Sequence, residues 1–162
     1  MRWTLPSSLL LLVVLVCIPA LSPAATRSTY SASTERQVLQ LLNGIRHEHG
    51  LTSLTGSIAL RNAARSHSSD MLKRDYFQHN SPNETFDKRI RRYLNSPLVG
   101  ENIAWGTGRY GTAQGIVMLW MHSPAHRHVI LMASLHRVGL GIATGSFAGA
   151  DDAVMTTADF SS

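Results

Sequence analysis

The sequence predicts an α+β domain in which helices are layered on a small sheet. Apolar residues recur at helical spacing through most of the chain, and the two clearest strand-like runs, Arg137 to Thr144 and Ala153 to Phe160, come last. With 162 residues, 44% of them hydrophobic and 15% charged, the chain suits one packed domain. That length excludes a multidomain enzyme with its own dinucleotide module.

Residues 1–25 read as an export leader rather than as part of the domain. Met1-Arg2-Trp3 is a short positive start, Leu9 to Leu21 is an apolar stretch of 13 residues, and Ser22-Pro23-Ala24-Ala25 supplies the small residues of a cleavage site. The stretch is too short to span a membrane. Cys17, the single cysteine, falls inside it, so the exported part has no disulfide and its core must suffice unaided. An exported domain without bridges fits a bacterial secreted or envelope protein. Without Arg2, 14 basic and 10 acidic residues remain, a net +4 with His neutral. The basic residues are scattered apart from Lys88-Arg89-Ile90-Arg91-Arg92, which reads as a solvated helix face or, more sharply, as a contact for an anionic surface such as a wall polymer or lipid headgroups. No aromatic-interleaved basic motif is present, so nucleic acid is not an expected partner.

Residues 26–36 are expected as a lead-in, with Thr34 capping a first helix whose stripe is Val38, Leu41, Leu42 and Ile45 and which ends at Gly50. Ser57 is expected to cap a second helix with the stripe Leu60, Ala63, Ala64, His67 and Met71. Asn80-Ser81-Pro82-Asn83 is turn chemistry, and a short helix over Phe86 to Leu94 ends before Asn95-Ser96-Pro97. Val99 to Trp105 reads as a non-helical segment leading to Gly106, Gly108 and Gly111. A further helix over Thr112 to Met121 is apolar nearly all round. Ser123-Pro124 then restarts a helix to about Met132, and a loop over Gly145 to Asp152 joins the two strands.

Eight histidines stand out in this composition. His47 and His49 close a helix, where the dipole favours imidazolium. They lack the four-residue spacing of a helical zinc pair. His67 lies on an apolar face and reads as a hydrogen-bonded core residue. His122 and His126 are four apart, but the Ser-Pro break keeps them off one helix face. His126 falls at the third position of the new helix, near free backbone N–H groups. His79 sits in a polar loop and Glu101 in another segment. A Glu and a His converging from separate segments are able to bind a divalent metal or exchange a proton, or else simply hydrogen-bond two loops together. Neither a phosphate loop nor a nucleophile elbow is present.

Several segments, taken in order, resemble the CAP superfamily, or SCP domain, in its bacterial branch. They are Leu42-Asn43-Gly44-Ile45-Arg46, Ala64 to Met71, His79-Asn80-Ser81-Pro82, Arg89-Ile90, Gly100-Glu101-Asn102-Ile103-Ala104, Trp120 to Arg127, Gly139-Leu140-Gly141 and Thr157-Ala158-Asp159-Phe160. The likeness covers about 37–160 and sets the domain at 37–162. It implies an α-β-α sandwich, with a small antiparallel sheet between helical layers and an open cleft. Eukaryotic members hold a divalent metal, often zinc, with two His and two Glu. His79 matches the first His and Glu101 matches the Glu of the Gly-Glu-Asn motif. Ser123 replaces the second Glu, and Val154-Met155-Thr156-Thr157 offers no second His.

The cleft candidates are therefore His79, Glu101, Ser123 and His126, with His79 and Glu101 the candidate metal ligands. The resemblance favours an extracellular binding module for a hydrophobic small molecule, a wall polymer or an envelope protein. A cleft hydrolase using His79 and Glu101, with or without metal, is the enzymatic alternative. A structural or stress-protective domain with a vestigial cleft is the third.

Overall fold

The computed structural model describes residues 29–162; the expected leader, with Cys17, lies outside the described residues. β1 (Thr29–Tyr30) leads straight into α1 (Ala32–Glu48), followed by β2 (Thr55–Gly56), α2 (Ile58–Arg74), α3 (Phe86–Arg91) and β3 (Val99–Gly106). A 3₁₀ turn, α4 (Ala113–His122), α5 (Pro124–Ile130), β4 (Arg137–Phe147) and β5 (Ala150–Ser161) complete the chain. The part of the expected lead-in that is described is thus already strand and helix. Ser31, not Thr34, caps α1: its hydroxyl accepts from Thr34 N and bonds Thr34 Oγ1 at 2.7 Å. Both residues have capping chemistry, but Ser31 stands where the chain leaves β1 with non-helical angles. Ser57 and Thr112 cap α2 and α4 through their side chains. Ser123 starts α5 by backbone geometry and Pro124 alone, without a side-chain cap bond.

The sheet order is β1-β4-β5-β3, with β2 pairing β4 in parallel, so the sheet is mixed rather than wholly antiparallel. Val99 to Trp105 is an edge strand paired with β5 along its whole length. The loop expected over Gly145 to Asp152 shrinks to a two-residue turn, because Ala148 (φ 50°) and Gly149 (φ 82°) both take left-handed angles.

Alternation along β4 sets the layers. Val138, Leu140 and Ile142 join Val38 and Leu42 of α1 and Ile116, Val117 and Trp120 of α4 in the main core. Burying each large side chain there is worth roughly 1.5–3 kcal/mol. Gly139 and Gly141 face the other way, under α2. A Cβ at Gly139 would lie 1.9 Å from Arg61 N, and one at Gly141 would lie 2.2 Å from Arg65 N, so glycine lets the α2 backbone sit directly on the sheet. Two motif residues brace the far end. Arg46, fully buried, donates to the carbonyls of Thr52, Ile130, Met132 and Leu135 at 2.7–3.1 Å. Asn43 bonds both backbone groups of Leu54.

Candidate functional site

The site is built on the sheet face that α2 covers. Glu101 and Asp159 are direct cross-strand partners on β3 and β5, so their side chains share that face. Arg89 reaches in from α3 and is only 3% exposed; its guanidinium bonds Glu101 Oε2, lies 3.9 Å from Asp159 Oδ1, and donates to the carbonyl of His79 at 2.9 Å. His79 Nδ1 lies 2.9 Å from Glu101 Oε1. From α2, His67 Nε2 donates to the carbonyl of Gln78 at 3.0 Å and comes within 3.9 Å of Glu101 Oε2. Arg89 and His67 thus hold the 77–80 loop through its carbonyls, while Glu101 holds it through the His79 ring.

Burial decides the charge states. Asp159 is fully buried, and neither of its oxygens has a donor among the described residues. A hydrogen bond between it and Glu101 therefore requires a proton on one of the two acids. Burial, and then the Glu101 charge, push Asp159 well above the usual carboxylate range, which favours its protonated form. Glu101 is raised by burial to about 7, although the Arg89 charge works against this. His67 is lowered to about 3 by burial and then by Arg89, which makes it a neutral donor. Burial and then Arg89 also lower His79; burial and then His79 lower His126.

The four candidates do not all share one cavity. His79, Glu101 and His126 line a cleft of about 340 Å³ along β3, with Asn102 and the apolar side chains of Phe86, Val99, Val129 and Met132. The His79 and His126 rings are 6.4 Å apart. Ser123 lines a neighbouring cavity of about 260 Å³ with Trp105 and Leu119, and His126 is the wall between the two. Among the described residues, His126 Nδ1 and Asn102 Oδ1 are buried without partners, while Asn102 Nδ2 donates to the carbonyl of His126. His122 points elsewhere, to the carbonyl of Met118.

Sequence reasoning gave Arg89 and Asp159 no role at the site. Arg89 belongs to the basic run expected as a solvated face; Lys88, Arg91 and Arg92 are indeed exposed, but Arg89 is not. The available signal was its place beside the apolar Ile90, and for Asp159 its place as the lone acid of the expected strand Ala153 to Phe160. The reading of His67 as a hydrogen-bonded core residue agrees with its contacts, though it packs beside the site.

The donor set does not fit a zinc centre of the two-His, two-Glu kind. Arg89 already neutralises Glu101, and no group of three or more His, Cys, Asp or Glu side chains among the described residues is arranged to hold a metal.

The family model for CAP, the cysteine-rich secretory protein family, matches residues 39–160. The chain belongs to the CAP family. It is 33% identical over 129 residues to YkwD of Bacillus subtilis, covering 76% of this chain and 49% of that protein. It therefore spans about half the length of that relative. Among solved structures, an extracellular SCP-domain protein of Bacillus anthracis is 28% identical with a TM-score of 0.67, over 79% of this chain and 40% of that one. An outer surface protein of Borrelia burgdorferi shares the CAP fold at 17% identity, with a TM-score of 0.72 over 83% of this chain and 96% of that one. No helix among the described residues is long and apolar enough to cross a membrane.

Proposed function

We propose that this CAP chain is an extracellular binding module, and that the cleft along β3 takes a ligand with an apolar body and a polar head set against His79 and His126. The contrast between the cleft wall and its charge carries this reading. The wall is mostly apolar, while Arg89 pairs with Glu101 beneath it. What the cleft offers a ligand is therefore two neutral imidazoles on a greasy surface. That favours a lipid-like or other hydrophobic ligand over a charged one. An extracellular setting is supported by the Bacillus anthracis relative, described as extracellular, and by the export leader expected at 1–25.

A neutral fluorescent amphiphile such as pyrenebutanol tests the proposal. Saturable binding is expected, weakened at least about tenfold by Val129→Trp, which fills the cleft. Equal binding by the two proteins would place the amphiphile elsewhere and remove the cleft reading.

One observation favours the hydrolase alternative. Glu101, raised to about 7 and bonded to His79, is poised where a general base works near neutral pH. If the cleft hydrolyses wall peptides or esters, Glu101→Gln is expected to lower turnover at least about a hundredfold. Activity surviving in that variant would exclude Glu101 as the base.

A further inference from the structure

A further cavity lies beyond the opposite edge of the sheet from the β3 cleft. There α1, the first turn of α2 and β4 enclose about 240 Å³. Leu39, Val138 and Leu140 give it apolar walls, together with Ile58, which is 69% exposed. Arg36 and Arg61 line it as well. Among the described residues neither forms an ion pair, and Arg61 Nε is buried with no hydrogen-bond partner. The acid in the wall, Glu35, is already taken: Arg65 clamps both of its oxygens at 2.8 and 2.7 Å. The cavity is therefore greasy and is lined by two guanidinium groups that have no carboxylate partner among the described residues.

We propose that this cavity is a binding site for a small organic monoanion, a carboxylate carrying an apolar body of about one aromatic ring. The charge complement is fixed by Arg36 and Arg61. The planar edge of a guanidinium presents paired N–H groups that match the two oxygens of a carboxylate. Size sets the body. A cavity of about 150 Å³ accepts benzene, and this one leaves room for the carboxylate as well. α2, whose first turn lines the cavity, has no acidic residue there to compete for the positive end of its dipole. The site is independent of the β3 cleft and of the function proposed for it.

Phenylacetate is a suitable probe, titrated into the full chain by calorimetry with uncharged phenylacetamide as the isostere. Saturable binding of phenylacetate is expected below about 10 mM, with phenylacetamide at least about tenfold weaker. Arg61→Gln should weaken phenylacetate at least about tenfold, and Arg61→Lys, which keeps the charge but loses the fork, should fall between. Arg36→Ala, a change at an exposed side chain, should weaken it too and covers the case in which the Arg61 variants unfold. Val129→Trp in the β3 cleft should leave it unchanged. No binding, equal binding of the amide, indifference to both arginine changes, or loss in Val129→Trp would each overturn the proposal.

Discussion

His67 titrates far from where it would in an unfolded chain. Its folded value is about 3 against an ordinary 6.5, because burial and Arg89 both disfavour the imidazolium. Between those values the unfolded chain binds a proton that the folded chain refuses. Its contribution is thus present above about 6.5 and lost as pH falls towards about 3. Glu101 works in the opposite sense. Its folded value of about 7 lies above the ordinary 4.5, so its contribution is present below about 4.5 and lost as pH rises through about 7. His67→Gln keeps an N–H donor for the Gln78 carbonyl and removes the titration. It should lose less stability than the parent between pH 6 and pH 4, measured by urea unfolding at each pH. An unchanged pH slope would mean that His67 takes a proton in the folded protein.

At the scale of elements, the packing of α2 on β4 positions one wall of the site. Gly139 and Gly141 remove the side chains that would hold the helix away, and Ser68 Oγ donates to the Gly141 carbonyl at 2.8 Å. His67, on the same helix face, thereby reaches the Gln78 carbonyl and lies beside Glu101. Gly141→Ala forces its Cβ into the α2 backbone. It should cost roughly 1–3 kcal/mol, read as a lower urea midpoint with an unchanged slope. A midpoint equal to the parent's would mean that α2 shifts freely over the sheet. Much of this level was readable in advance. The Ser57 cap, the span of α4 and the Ser123-Pro124 break are local signals, and each is found where it was expected, although α4 buries one face rather than nearly all sides and leaves Met118 exposed. The edge strand β3 was not recognised as a strand, because Gly100-Glu101-Asn102 carries weak strand propensity and its pairing with β5 is a long-range event.

For the molecule as a whole, the sequence determined the layered α+β class, the family and the His79–Glu101 pair, since these rest on local periodicity, caps and ordered motifs. It also determined that no disulfide joins the layers, because one cysteine has no partner within the chain. Tertiary structure alone decided the rest. It buried Arg89 under its own basic run, set Asp159 opposite Glu101 by strand register, and pushed the Asp159 carboxyl well above its ordinary range by burial. It put Ser123 in a different cavity from His79 and left Arg61 without an ion-pair partner among the described residues at the far edge of the sheet. The physical reason is range. A cap or an amphipathic stripe is fixed by residues a few positions apart, whereas burial, charge compensation and the proton held by a carboxyl pair depend on groups the fold brings together from distant parts of the chain.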